Sequence, residues 1–195
     1  MRMNRIAAVL GSLVLVTGSL WAADVALPRP APKLVFNVPG KPPQDLSQYR
    51  GKVVALEFIF TTCPHCRAAS KVMSKLQTEY AAKGLQVLDV AVNANADLLV
   101  DGFVKDLQPT FPVGWVMQNE MTAFMGFTDG RFVVPQLALI DRKGVIHYQT
   151  PATENDDWDK MMNEDSIRKH IEELLHTTAA VTHKGKKPAE AAGLR

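Results

Sequence analysis

Cys63 and Cys66 are the two cysteines of this 195-residue chain, set two residues apart in Cys63-Pro64-His65-Cys66. A bridge across so short an interval closes almost no loop and restricts the unfolded chain little, so it is a poor structural staple. The pair reads instead as a redox couple or as half of a metal site. A closed zinc site needs four ligands. His147, His170, His176 and His183, the histidines outside the motif, show no paired ligand spacing. Copper needs fewer ligands, so a non-catalytic copper-binding or metallochaperone module using the same cysteines is the alternative reading.

The neighbourhood of the pair favours redox chemistry. Val53 to Phe60 is an almost unbroken run of apolar, strand-forming residues, the pattern of a central parallel strand covered on both faces. A helix follows, and Pro64 suits its first turn, where the missing N–H would have no partner. Cys63 then lies at a helix N-terminus, where free backbone N–H groups and the helix dipole favour an anion. A thiolate is the reactive form of cysteine. His65, when protonated, adds positive charge beside it. Cys66 falls one turn deeper, in the place of a resolving thiol. Cys63 attacks or is attacked, and Cys66 releases the mixed disulfide. The disulfide itself is the redox group, so no cofactor is expected.

Two further residues could assist. Glu57 interrupts the apolar strand six positions before Cys63. Desolvation there raises a carboxyl pKa, which lets it relay a proton to or from Cys66. The bland alternative is a strand-end acid facing solvent or a lysine. Pro135 precedes the apolar stretch Gln136 to Ile140. A cis Val134-Pro135 bond would leave the Val134 backbone free to pair with an incoming peptide, whereas a trans proline opening a strand would have no such role.

Positioning this site takes one α/β domain. The helix after the motif sets Ala69, Val72, Met73, Leu76 and Tyr80 on one face and stops at Gly84; Leu85 to Val92 forms a second buried strand. Together they make a βαβ unit. Lys33 to Val38 reads as a short edge strand, Leu98 to Leu107 as a helix, Phe111 to Val113 as extended and Glu120 to Phe124 as a short helix. Gln136 to Ile140, the turn Asp141 to Gly144 and Val145 to Gln149 form a hairpin. Pro151 to Met162 reads as a polar surface loop. A last helix buries Ile167, Ile171, Leu174 and Leu175, with Asp165 as its N-cap.

The ends differ from this body. Residues 1–23 carry Arg2 and Arg5 before an apolar run, the pattern of a signal peptide or an N-terminal membrane anchor. Residues 24–33 are a Pro-rich spacer, 34–180 the domain, and 181–195 a basic disordered tail. The formal charge of +2 comes from the ends: without Arg2, Arg5, Lys184, Lys186, Lys187, Arg195 and Glu190 the body keeps 16 basic and 19 acidic residues. A mildly acidic body argues against nucleic acid as a partner. The leader places the body outside the cytoplasm, in the periplasm or its equivalent, with the membrane touched only through a possible anchor.

The separated motifs Asp45-Leu46-Ser47-Gln48-Tyr49-Arg50-Gly51-Lys52-Val53-Val54, Cys63-Pro64-His65-Cys66-Arg67, Phe111-Pro112-Val113, and Val134-Pro135 followed by Leu139-Ile140-Asp141-Arg142-Lys143-Gly144 occur in one order. In that order they resemble the thioredoxin superfamily, in particular its exported TlpA/ResA-like branch. The resemblance implies a thioredoxin-like α/β fold, a central mixed sheet flanked by helices, with the dithiol at a helix N-terminus. It implies a cis proline at Pro135 facing the dithiol, and it places Glu57 at the family's buried acid. It further implies a protein thiol-disulfide oxidoreductase, protein thiol or disulfide clients, and a membrane redox partner that resets the dithiol. Thr62 stands where many members carry Trp. The tetrad and Val134 look more like the periplasmic oxidase DsbA, so scaffold and tetrad point to opposite directions of exchange, reduction as in cytochrome c maturation or oxidation of exported proteins.

Overall fold

The computed structural model describes residues 25–128 and 130–183. The leader 1–23 and most of the basic tail lie outside them. Among the described residues, six strands form one mixed sheet in the order β1-β8-β7-β4-β5-β6: β1 (Arg29–Pro30), β4 (Val53–Ile59), β5 (Leu85–Ala91), β6 (Val113–Trp115), β7 (Gln136–Ile140) and β8 (Val145–Gln149). A separate pair, β2 (Val35–Phe36) and β3 (Gln44–Asp45), is antiparallel. Five helices complete the domain: α1 (Pro64–Tyr80), α2 (Ala96–Leu107), α3 (Gln118–Met125), α4 (Asp156–Met162) and α5 (Glu164–His183). This is the thioredoxin-like arrangement of a mixed sheet between helices.

β4 is central, parallel to β5 and antiparallel to β7, and all seven of its residues are buried. Alternation along the strand sends its side chains into two cores. Val53, Ala55 and Ile59 join Met73, Leu76, Val100, Phe103, Ile167 and Ile171 beneath α1, α2 and α5. Val54, Leu56 and Phe58 join Leu34, Phe36, Met121 and Phe124 on the opposite face. β4 needs apolar residues on both faces, which is why its sequence shows no alternation. The C-terminal ends of β4, β5 and β6 and the start of β7 lie along one edge of the sheet, where Phe58 pairs with Gln136.

α1 is held to the sheet by more than apolar contact. Gln77 is buried, accepts from the Val87 N–H at 2.6 Å and donates to the Leu85 carbonyl at 3.5 Å. After a 3-10 turn, Gly84 takes φ of 103°, the left-handed conformation that lets the chain turn into β5. At the far edge Gly114 allows a close crossing. A Cβ there would lie 2.5 Å from the Asn37 carbonyl oxygen, which accepts from the Trp115 N–H.

Three sequence expectations need correction. The Pro-rich spacer contributes β1, whose Arg29 and Pro30 pair with Ile146 and Val145 of β8; proline is tolerated there because the strand is an edge. The polar stretch Pro151 to Met162 contains α4. Asn155 starts that helix by accepting from the Asp157 and Trp158 N–H groups, and Met161 reaches the core. Finally, Asp165 lies inside the first turn of α5, and Asn163 is the cap, accepting from the Asp165 N–H at 3.0 Å.

Candidate active site

Cys63 is the N-cap of α1, with extended backbone (φ −76°, ψ 122°), and Pro64 takes the first helical position. The Cys66 N–H donates to Cys63 Sγ at 3.5 Å. This is how a capping group satisfies one of the orphan donors of a first turn. Both sulfurs are free thiols: Cys63 is partly exposed and Cys66 is buried. His65 and Pro64 are exposed on the outer side of the turn. The preceding loop is pinned by Asn93, whose Oδ1 accepts from the Thr61 N–H at 2.9 Å and from its hydroxyl at 3.3 Å. The first turn is tied to α2 by Arg67, which bonds Asp106 at 3.2 Å and lies over the Phe103 ring.

Cys66 Sγ accepts from the Phe60 N–H at 3.4 Å. Burial pushes its thiol well above the ordinary cysteine range; that hydrogen bond opposes the rise, and the nearby Cys63 and Glu57 reinforce it. Glu57 is wholly buried, so the solvent-facing alternative is excluded. Its carboxyl is held well above the usual range by desolvation, then by the Asp89 charge, and further by Cys63. The carboxyl is therefore in electrostatic reach of both sulfurs.

The Val134-Pro135 peptide is cis. Pro135 is buried at the start of β7, on the sheet edge from which the β4–α1 loop departs. Val134 and Cys63 pack against the same core. Phe132, two residues before Val134, meets the ring of Phe60 edge-on at 6.2 Å, which joins the proline loop to the loop that carries the cysteines. Among the described residues no hydrogen bond uses the N–H or C=O of Val134. All seven expected residues thus lie at one end of the sheet: Cys63, Pro64 and His65 outward, Cys66 and Glu57 beneath, Val134 and Pro135 on the flanking loop. Among the described residues no group of three or more His, Cys, Asp or Glu side chains gathers to hold a metal ion.

Residues 29–167 match the model of the Redoxin family. The chain belongs to the Redoxin family. On that fold it sets two free thiols, Cys63 and Cys66, at the N-terminus of α1. It is similar to the thiol-disulfide oxidoreductase ResA of Oceanobacillus iheyensis, 38% identical over 35% of each chain. It is also similar to ResA of Geobacillus kaustophilus, 28% identical over 77% of this chain and 79% of that one. Among solved structures, a thiol:disulfide interchange protein of the thioredoxin family from Chlorobium tepidum superposes with a TM-score of 0.62. It is 23% identical and covers 77% of this chain and 98% of that one, a likeness of fold.

Sequence reasoning missed three residues that surround this candidate site of the Redoxin chain. Asp89 interrupts the apolar run Leu85 to Val92 just as Glu57 interrupts its own, and the same signal would have found it. Ser70 lies one turn after Cys66 on the buried face of α1, and donates to Asp89 Oδ2 at 2.6 Å. Gln136, next to Pro135, has a buried amide that donates to the carbonyls of Val133, Pro151 and Ala152 at 2.9, 3.1 and 3.3 Å. No pattern in a single sequence marks such a clamp.

Proposed function

We propose that the protein is an extracytoplasmic enzyme that exchanges disulfides with cysteines of other proteins through the Cys63–Cys66 couple. The observation that carries this reading is the asymmetry of the pair: one sulfur reachable at the helix N-terminus and the other enclosed behind it, with Val134 of the cis-proline loop on the same core and, among the described residues, its peptide groups without a partner. In the reducing direction the Cys63 thiolate attacks one sulfur of a client disulfide. A Cys63–client bond forms, and the client's other sulfur leaves as a thiolate. Cys66 then gives up its proton and attacks Cys63 Sγ. The Cys63–Cys66 bond forms as the mixed disulfide breaks, and two electrons have passed to the client. Run backward, the same steps oxidise a client dithiol.

The remaining residues take supporting roles in this scheme. Glu57 exchanges the Cys66 proton, and the free peptide groups of Val134 align the client strand beside Cys63. His65, exposed at the first turn, adds positive charge near the attacking sulfur when protonated. The leader delivers the domain across the membrane, as a signal peptide or as an anchor, and a membrane redox partner resets the couple after each turnover.

The test is trapping. Cys66→Ala should accumulate mixed disulfides through Cys63 with envelope proteins, separable on non-reducing gels, and Cys63→Ala should accumulate none. Absence of any adduct with Cys66→Ala would sink the reading. The midpoint potential assigns direction: a value near about −270 mV, that of thioredoxin, marks a reductant, and one near about −120 mV, that of DsbA, an oxidant.

A further inference from the structure

Glu57 and Asp89 are direct partners in the parallel register of β4 and β5, and both are wholly buried. By alternation they project from the sheet on the side of Ala55, Ile59, Val87 and Ala91, into the space between the sheet and α1. Cys66 and Ser70 lie one helical turn apart on the buried face of α1 above them. Ser70 hydrogen-bonds Asp89 Oδ2, and among the described residues Asp89 Oδ1 and both oxygens of Glu57 have no donor. Two ionised carboxylates side by side could not supply one, and each would raise the cost of the other. A single proton placed between them satisfies the arrangement: Glu57 donates to Asp89, and Asp89 keeps its charge under the Ser70 hydroxyl.

We propose that Asp89, fixed by Ser70, is a positioning residue that shares one proton with Glu57, making the pair a store that takes and returns the proton of Cys66. This rests on the reading of Glu57 as the relay. When Cys66 attacks Cys63 Sγ, its proton passes to the singly charged pair, which becomes neutral. When the disulfide is reduced again, the pair returns a proton to the Cys66 thiolate and regains its charge. Protons balance within the protein in each half of the cycle, with no need to draw one through a dry core.

The groups that titrate around Glu57 are Asp89 from β5 and Cys63 and Cys66 from the start of α1. β7 brings Leu137 opposite Glu57, and α4 and α5 bring Met161, Ile167 and Ile171 to the same core. Burial also lifts Asp89, to about 7, with the Ser70 hydrogen bond opposing the rise. Asp89 thus changes protonation near neutral pH, beside a Glu57 carboxyl that burial also holds above its ordinary range.

The experiment is redox-difference infrared spectroscopy of the protein across pH, set beside the pH–rate profile of client-disulfide reduction. Wild type should show a protonated-carboxyl band that changes between dithiol and disulfide forms. Glu57→Gln should remove it. In Asp89→Asn the neighbouring charge is gone, so Glu57 should lose its proton about one pH unit lower or more, in the band and in the profile alike. Ser70→Ala, which removes only a hydroxyl, should move the transition the other way, and it decides the matter if Asp89→Asn does not fold. Band and profile superimposing on wild type in Asp89→Asn or Ser70→Ala, while Glu57→Gln alters both, would overturn the shared proton and leave the relay standing. An unchanged profile in Glu57→Gln would overturn both.

Discussion

The Thr150 hydroxyl donates to the side-chain carbonyl of Gln136 at 2.5 Å, one residue past the cis Val134-Pro135 peptide. Thr150 also accepts from the Leu137 N–H at 3.0 Å. A buried glutamine with its oxygen held this way must aim its amide at the Val133, Pro151 and Ala152 carbonyls, which ties the proline loop to the chain leaving β8. The loop that carries the cis proline is therefore set by a side chain that bonds neither sulfur.

Gln136→Leu should strip those carbonyls of their donor. Unfolding in urea should show a loss of about 1–3 kcal/mol, the usual cost of stranded buried polar groups. KM for a protein disulfide should rise as the loop loosens. Reduction of a small aromatic disulfide, which needs no aligned strand, should keep the wild-type rate. Equal losses on both substrates would show that the clamp does not act through client alignment.

Alkylation should distinguish the two sulfurs. Cys63 is partly exposed at the helix N-terminus, whereas Cys66 is enclosed and its thiol is raised by burial. Iodoacetamide near neutral pH should modify Cys63 faster by roughly tenfold or more, as peptide mass spectrometry after brief labelling would show. Comparable labelling of both would mean that α1 frays at its first turn.

Stability should fall as pH rises from about 4 toward 7. Glu57 and Asp89 have raised pKa values in the fold, so the native state keeps protons that the unfolded chain has already released. Each group then weakens folding by roughly 1 kcal/mol per pH unit between its unfolded and folded pKa values. Asp89 completes its contribution near 7, and Glu57 adds its own as far as its raised folded value reaches. Glu57→Gln should accordingly exceed wild type in stability at about pH 8, with the advantage shrinking toward about pH 4, as urea titrations at the two ends would measure. A pH-independent difference would mean that Glu57 is charged in the folded state.

Asn155→Ala removes the side chain that accepts from two N–H groups at the start of α4. Loss of such a cap costs about 1 kcal/mol. Denaturant unfolding should register that loss while disulfide exchange is unaltered, because the Asn155 side chain bonds only N–H groups of α4's own first turn.

The βαβ unit and the hairpin were legible because their apolar runs are long and bounded by glycine or turn residues. Cys63, Cys66 and Glu57 stood out by type or by interrupting a pattern. β1 was hidden because prolines at an edge strand read as a spacer. α4 was hidden because three aspartates in its first turn, favourable beside a helix N-terminus, look like loop composition. Ala69 and Val72 are half-buried, Val72 packing at the core's margin, while Cys66, Ser70 and Gln77 join Met73, Leu76 and Tyr80 on the fully buried face, since the helix turns two polar side chains toward the sheet to serve Asp89 and the β5 backbone.

One outward sulfur in front of one enclosed sulfur also divides the kinetics of the cycle. Encounter with a client is second order and scales with its concentration, but escape from the adduct is first order and belongs to this chain alone. At high client levels turnover should therefore level off at a ceiling fixed by how quickly the inner sulfur can reach its neighbour, the same for every client whose own leaving sulfur is comparable.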